Sequence, residues 1–193
     1  MSQLINLIKK GASLSTIKTH LQSTAHVDDY INQQDSLGDT ALMWATHKGK
    51  LSVVQLLIQC SADVNLGNIY GNTPLMYSVY QSIDFAQALL MAGSKVDAVN
   101  RTHGWTALRD AASLGFVEHV KLFLQFGAAV DIVDNSGGTA LDAVIKYHRF
   151  VDSNIKLTST PPARLLISRQ NSAEIIELLQ GHALRNRTIA VAY

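Results

Sequence analysis

Hydrophobic and polar positions recur along the chain with a period of 33 residues. The marker of each period is a glycine, followed two residues later by a threonine and two further on by a leucine; the glycines are Gly38, Gly71, Gly104 and Gly137. A threonine at this place can accept a hydrogen bond from the first turn of a helix, and a proline is tolerated next to it. Each threonine therefore predicts the start of a short helix.

A second apolar run follows in each of the first three periods. These runs cover residues 51–58, 83–90 and 117–124. Their apolar residues recur every three or four positions, as in a helix with one buried face. Small residues, glycines and Asp or Asn then end each run and favour a turn. The unit is predicted to be a turn, a helix, a tight turn and a second helix.

A 33-residue unit of this kind, with Thr73-Pro74-Leu75 opening a first helix, resembles the ankyrin repeat. The resemblance places repeats at 35–67, 68–100 and 101–133, with a fourth from 134 onward. It implies an all-α ankyrin-repeat solenoid with short hairpin-like turns between the helix pairs. The chain departs from the family after the leucine, where a histidine is usual and these residues stand instead: Met43, Met76, Arg109 and Asp142.

The two ends depart from the repeat, as terminal units must because one of their faces meets water. Residues 1–34 are predicted to form a degenerate N-terminal cap, and residues 134–193 a divergent fourth repeat with the C-terminal cap. The last apolar run falls beyond the place that the period predicts, so we place an insertion at about 150–169. Alternatively, residues 163–170 are the first helix of a degenerate fifth repeat. The whole chain, 1–193, is expected to be one domain.

One irregularity lies inside the array. The second repeat lacks a residue near Gln81-Ser82 and gains one after Gly93. The loop at 97–103 is therefore expected to project differently from its neighbours, and a departure from a strict repeat is a candidate for function.

Composition argues against several kinds of partner. Charged residues are 16% of the chain and the formal net charge is +1, which gives little attraction to nucleic acid or to an anionic membrane. No run approaches the ~20 apolar residues of a membrane span, and the first residues do not follow the order of a secretory signal. Cys60 is the only cysteine, so no disulfide forms within the chain. We expect a monomer in the cytoplasm.

Motifs for metal binding and catalysis are weak. The seven histidines show no metal-ligand spacing, so neither a metal nor another cofactor is expected. Ser15-Thr16-Ile17-Lys18 matches a nucleophile pattern but lacks its companion motifs. The chain is therefore predicted not to be an enzyme. The alternative would need Asp152 and Lys156, in the inserted segment, to complete a site with another chain.

The resemblance implies a binding face made by the turn tips and the exposed side of each first helix. Equivalent positions in neighbouring repeats then form rows about 10 Å apart. The candidate partner-binding residues are Leu37, Asp39, Trp44, His47, Tyr70, Asn72, Tyr77, Tyr80, His103, Trp105 and Asp110. Aromatic anchors lose little rotamer entropy on binding, which favours Tyr70, Tyr80 and Trp105. For Trp44 and Tyr77, packing between helices is an equal alternative.

These observations predict a non-enzymatic module that binds a partner protein of unknown identity. Three roles stay open: an effector that a microbe delivers into a host cytosol, an adaptor, and a regulatory or inhibitory subunit. Asp63-Val64-Asn65, with Leu57 upstream, resembles the ankyrin motif that asparaginyl hydroxylases modify. Asn65 is therefore a candidate modification site.

Overall fold

The computed structural model describes residues 3–23, 30–156 and 163–191. Within these ranges the chain forms helices and no β-strand, apart from one antiparallel bridge between Gln34 and Thr40. The helices are α1 (Gln3–Lys9), α2 (Leu14–Ser23), α3 (Ala41–His47), α4 (Leu51–Gln59), α5 (Pro74–Ser78), α6 (Ile83–Met91), α7 (Ala107–Leu114), α8 (Val117–Gln125), α9 (Ala140–Lys156) and α10 (Ala163–Val191). The predicted all-α fold of turn-plus-two-helix repeats is confirmed.

The chain divides into two compact units, residues 1–102 and 103–193. In the first unit, α1 packs on α3 and α3 on α5, while α2 packs on α4 and α4 on α6. First helices therefore contact first helices, and second helices contact second helices. The repeated leucines Leu42 and Leu75 are each 1% exposed, so they belong to the core that this stacking buries.

The second unit contains the irregular end of the chain. Here α7 packs on α8 and α9, and α10 packs on α8 and α9. The segment in which we placed an insertion is helical at both of its described ends, because α9 continues to Lys156 and α10 begins at Ala163. Residues 163–170 are the start of this 29-residue helix. Its assignment to an insertion or to a degenerate fifth repeat stays a prediction. Residues 157–162, with the paired prolines, lie outside the described residues.

Two of the predicted helix caps have the expected geometry. The Oγ1 atom of Thr40 accepts a hydrogen bond from the backbone N–H of Met43 at 3.2 Å. The Oγ1 atom of Thr106 accepts one from the N–H of Arg109 at 3.1 Å. Each bond satisfies a donor that has no partner inside the helix, which is worth about 1 kcal/mol.

The other two threonines differ from each other. Thr139 caps α9 more weakly, because its Oγ1 accepts from the N–H of Asp142 at 3.3 Å. The prediction of a cap is wrong for Thr73, whose buried hydroxyl makes no hydrogen bond. Helix α5 begins at Pro74, which has no N–H, and the carbonyl of Thr73 accepts from the N–H of Met76 at 3.1 Å. This five-residue helix is the least regular of the first helices.

Backbone hydrogen bonds link consecutive turns. They run from the N–H of the later turn to a carbonyl of the earlier one: Ile69 to Leu37, Arg101 to Tyr70, and Asn135 to His103, at 3.0, 2.7 and 2.8 Å. The period places the second donor at Thr102, one residue later than the observed Arg101. The extra residue after Gly93 therefore shifts the register of the loop at 97–103, where the sequence predicts a departure.

The turn glycines are required by both conformation and close approach. All four have positive φ, of +77, +76, +72 and +82° for Gly38, Gly71, Gly104 and Gly137. A Cβ at Gly38 would lie 2.8 Å from the backbone nitrogen of Ile69 in the next turn. Nothing lies within 4 Å of a Cβ at Gly137, which is followed by α9 and α10 and by no further turn in the described residues.

Replacement of Gly38 by alanine should therefore destabilise the protein more than replacement of Gly137. Both alanines carry the left-handed strain of about 1–2 kcal/mol. At Gly38 the added methyl also meets backbone, and such overpacking costs about 1–3 kcal/mol more. Urea unfolding followed by circular dichroism measures the difference. Equal losses for Gly38→Ala and Gly137→Ala would show that the turns do not need this close contact.

Candidate functional site

The side chain of Asp35 holds the first turn. Its Oδ1 accepts hydrogen bonds from the N–H groups of Leu37 and Asp39, both at 3.0 Å. Its Oδ2 accepts from Nζ of Lys9 at 2.7 Å and from Nε1 of Trp44 at 2.9 Å. Burial raises the pKa of Asp35, but these hydrogen bonds outweigh burial and lower it from 3.8 to about 2. The carboxylate is therefore ionised and fixed.

Asn68 takes the same place in the second turn. Its Oδ1 accepts from the N–H groups of Tyr70 and Asn72, both at 3.0 Å. As an amide it also donates, from Nδ2 to Oδ1 of Asp39 at 2.9 Å and to the hydroxyl of Tyr77 at 3.1 Å. The second turn is thus tied to a carboxylate of the first.

Asp134 holds the turn of the fourth repeat. Its Oδ1 accepts from the N–H groups of Ser136 and Gly138, at 2.8 and 3.0 Å, and from the Ser136 hydroxyl. Hydrogen bonds from Ser136 and Gly138 lower the pKa of Asp134. The guanidinium of Arg109 reaches its Oδ2 with two nitrogens, at 2.9 and 2.8 Å. In the third repeat the one-residue shift of register brings Asn100 to this position, where it is 9% exposed.

These turn-holding residues are missing from the sequence-based candidates. The available signal is an Asp or Asn three residues before the turn glycine, present at Asp35, Asn68 and Asp134. Asx side chains that accept from the backbone two residues on are a known turn device. The extra residue of the third loop obscured the signal, because it places Asn100 four residues before Gly104.

Three aromatic rings meet between α3 and α5 in the first unit. The rings of Trp44 and His47 are 5.9 Å apart at 89°, and those of His47 and Tyr77 are 5.8 Å apart at 76°. With Asp39 and Met43 they line a cavity of about 70 Å³. Trp44 and Tyr77 are half-buried, so both pack between helices and also face this cavity.

Asp39 is buried and not part of an exposed rim. It is 7% exposed, and its Oδ1 accepts from Asn68 and from the hydroxyl of Tyr77 at 3.2 Å. Burial raises the pKa of Tyr77 to about 12, and the negative charge of Asp39 contributes to the rise. Asp39 therefore lines the cavity from a buried position, and its part in partner binding stays a prediction.

The exposed apolar candidates of the first unit lie at or near the turns. Leu37, Tyr70 and Tyr80 are 45%, 47% and 61% exposed. Ile69, which the aromatic and polar pattern did not single out, is 51% exposed beside Tyr70. The fourth candidate there, Asn72, is half-buried. The tips of the first two turns therefore present a mainly apolar surface.

The second unit has a compact stack of its own at its first turn. The rings of His103 and Trp105 are 4.6 Å apart with an angle of 29° between their planes. The Arg109 guanidinium carbon lies 4.1 Å from the centroid of the Trp105 ring. Trp105 is half-buried, so the expectation that little protein covers it is wrong; His103 is exposed.

Asp110, in the first turn of α7, is buried. It is 8% exposed, and burial raises its pKa from 3.8 to about 6, although the positive charges of Arg109 and His103 act in the opposite direction. An ionised carboxylate with so little solvent is unfavourable. The predicted role of Asp110 as an exposed charge is therefore wrong.

The amide of Asn65 joins two loops. Its Nδ2 donates to the carbonyl of Gly93 at 3.1 Å, and its Oδ1 accepts from the N–H of Lys95 at 2.7 Å. Its own N–H donates to Oδ1 of Asp63 at 2.8 Å. Modification of Asn65 stays a prediction, and the side chain has a structural role without it.

In the part of the chain that the structure describes, no group of three or more His, Cys, Asp or Glu is placed to hold a metal ion. The thiol of Cys60 is half-buried and forms no disulfide there. None of the described helices combines the length and apolar character that crossing a membrane requires.

Family models match most of the first unit and the beginning of the second. A model of three consecutive ankyrin repeats matches residues 4–100, and a model of a single ankyrin repeat matches residues 103–135. The matched segments contain the turn glycines Gly38, Gly71 and Gly104.

Similar proteins are diverse. Tyrosine-protein kinase HTK16 of Hydra vulgaris is 27% identical over 70% of this chain, and glycerophosphocholine phosphodiesterase GDE1 of Candida albicans is 30% identical over 70%. The chain spans only 18% and 12% of the length of these two proteins. Cyclin-dependent kinase 4 inhibitor B of Rattus norvegicus is 27% identical over 54% of this chain and 80% of its own length.

Replacement of Asp35 by asparagine should reduce stability at neutral pH and flatten its dependence on acid. The amide keeps an acceptor for the turn but loses the charge that Lys9 and Trp44 bind, so we expect a loss of about 1–3 kcal/mol. Because the folded pKa of about 2 lies below the ordinary aspartate value of 3.8, the contribution of Asp35 to stability is present above pH 4 and is lost as the pH falls through 2.

Thermal unfolding between pH 2 and pH 7 measures both effects. Asp84→Asn is the matched control, since it removes the same charge from an exposed position on α6. A parallel pH profile for Asp35→Asn and the unchanged protein would contradict the role given to Asp35.

Replacement of Asp110 by asparagine should have the opposite effect. The folded pKa of about 6 lies above the ordinary aspartate value of 3.8, so the stability associated with Asp110 is fully present below pH 4 and is lost as the pH rises through 6. The neutral amide avoids that loss. We expect Asp110→Asn to be more stable by about 1–2 kcal/mol at pH 8 and equal at pH 4. Urea unfolding at the two pH values checks this, and a variant less stable at pH 8 would contradict it.

Proposed function

Because this chain belongs to the ankyrin-repeat family, we propose that it binds a partner protein through exposed residues at its turns. In the first unit these are Leu37, Ile69 and Tyr70, with Tyr80 in the turn that follows α5. In the second unit they are the exposed His103 and the half-buried Trp105 that stacks on it. Ankyrin repeats are protein-interaction modules, and the proposal concerns which surface of this chain makes the interaction.

The observation that carries the proposal is that rigid turns present apolar side chains to solvent. The N–H groups of Leu37 and Tyr70 are each held by a buried Asx side chain, at 3.0 Å in both turns. Side chains on a backbone that is already ordered lose less entropy on binding than side chains on a mobile loop. Exposed apolar groups at such positions cost little to bury against a partner.

The stack in the second unit supports the same conclusion. Tryptophan and arginine are the residue types most often found to dominate a binding energy. Arg109 is fixed from two sides, by the ring of Trp105 and by the carboxylate of Asp134. The pair therefore offers a large preformed surface that combines an aromatic ring with a delocalised cation.

A regulatory or inhibitory subunit is the second candidate role. It is favoured by the similarity to cyclin-dependent kinase 4 inhibitor B, which extends over 80% of that protein's length. An adaptor or a delivered effector would use the same surface. We place this binding in the cytoplasm, because the weakly charged chain with its single cysteine suits a reducing compartment. An enzyme whose activity falls on stoichiometric binding would favour the inhibitory role; a partner with unchanged activity would favour an adaptor.

Truncation of the turn-tip aromatics tests the proposal. In an affinity capture followed by titration of the captured partner, Tyr70→Ala and Trp105→Ala should each weaken binding by about 30-fold or more, since such anchors contribute about 2–4 kcal/mol. Met91→Ala is the matched control, because Met91 is a 74% exposed apolar residue at the end of a second helix. Full binding by both aromatic variants would refute the assigned surface.

A further inference from the structure

We propose that the cavity between α3 and α5 binds a positively charged side-chain head, a guanidinium or an alkylammonium, from the partner protein. This inference rests on the proposed function and names the chemistry that one part of the surface recognises. The cavity is lined by Asp39, Met43, Trp44, His47 and Tyr77.

The walls of the cavity suit a cation. The planes of Trp44 and His47 stand at 89° to each other and those of His47 and Tyr77 at 76°, so the three rings that line the space have different orientations. Aromatic rings attract cations through their negative faces, and several rings around one space form the cage that binds ammonium groups. The ring of Trp44 already carries one such contact, with Nζ of Lys9 at 4.1 Å from its centroid.

The cavity has a carboxylate in its lining. Asp39 is the only Asp or Glu among the lining residues and is 7% exposed. Its Oδ1 accepts from Asn68 and Tyr77, whereas no described residue donates a hydrogen bond to its Oδ2. A cation in the cavity would form a charge-assisted hydrogen bond with this oxygen, and such bonds are about twice as strong as bonds between neutral groups. An anion would be repelled by the carboxylate of Asp39.

The size of the cavity limits the group that fits. A water molecule needs about 10–15 Å³ of this kind of volume, so 70 Å³ holds a group of about five non-hydrogen atoms. The head of an arginine or lysine side chain is of this size, while a nucleobase is too large. Asp39 also lies two residues after the exposed Leu37, so a partner segment that covers the turn tip can reach the cavity with a side chain.

Two lysines near the cavity do not occupy it. Nζ of Lys9 forms an ion pair with Asp35 at 2.7 Å, which neutralises its charge locally. Nζ of Lys48 lies 5.9 Å from the Trp44 ring centroid on an exposed residue. Neither lines the cavity, and an exposed charge such as Lys48 opposes a bound cation only weakly because solvent screens it.

The direct test titrates the full-length protein with small probes that carry the head group alone. Nα-acetyl-arginine amide and Nα-acetyl-lysine amide are the cationic probes, and their neutral counterparts are Nα-acetyl-citrulline amide and the lysine probe acetylated at Nζ. The indole N–H signal of Trp44 in a nitrogen–proton correlation spectrum reports binding, and Trp105→Phe identifies which indole signal is which. We expect saturable shifts in the millimolar range with a cationic probe, and at least tenfold weaker binding of its neutral counterpart.

Two variants make the test specific. Asp39→Asn keeps an acceptor for Asn68 and Tyr77 but removes the charge, and should weaken cation binding at least tenfold, whereas Asp84→Asn on α6 should leave it unchanged. His47→Ala removes one wall at an exposed position and should also weaken binding, which keeps the test open if Asp39→Asn fails to fold.

The outcomes separate this inference from the proposed function. Equal binding of the arginine and citrulline probes, or unchanged arginine binding by both Asp39→Asn and His47→Ala, would overturn the cation site. Partner binding that still depends on Tyr70 and Trp105 would in that case leave the proposed function standing. Conversely, cation binding in a protein whose partner ignores Tyr70 and Trp105 would support the site and refute the wider surface.

Discussion

The structure depends on a buried oxygen acceptor inside each regular turn. Asp35, Asn68 and Asp134 each direct one side-chain oxygen at two backbone N–H groups of the turn that follows them. A turn fixed in this way can bring its glycine against the next turn. It also places the threonine that begins the first helix, so the repeat unit grows from this contact.

The same acceptors connect the turns to the chemistry of the surface. Lys9 and Trp44 meet on Asp35, Tyr77 and Asp39 meet around Asn68, and Arg109 is held by Asp134. Side chains that serve binding in our proposals are therefore bonded to the same Asx residues that hold the turn backbone. The same Asx acceptors fix both the turn backbone and the side chains proposed to bind a partner. A short repeat protein can therefore present aromatic and charged side chains without long loops.

The sequence was sufficient to predict the repeat and its helices, but not which polar side chains are buried. Spacing alone predicted the four glycines, the helix starts and the all-α fold, since these follow from local conformation. It made Asp39 and Asp110 candidates for partner binding, because acidic residue types are usually at the surface. Only the packing of neighbouring helices reveals that both are buried. The cap at Thr73 failed for a similar reason, as a motif does not determine where its hydroxyl points. The lengths of α9 and α10 were not predicted, because a change in the spacing of the repeat does not show whether the additional residues form a loop or a helix.

Helix α5 is expected to be less stable locally than the helices that pack around it. It spans only Pro74–Ser78, its preceding threonine leaves it uncapped, and it carries Tyr77, one wall of the aromatic cavity. Short uncapped helices open more readily than the segments around them, so amide protons here exchange with solvent early. A group that binds in the cavity contacts Tyr77 and therefore favours the folded state of α5. Binding should accordingly slow hydrogen exchange of the amides in the second repeat.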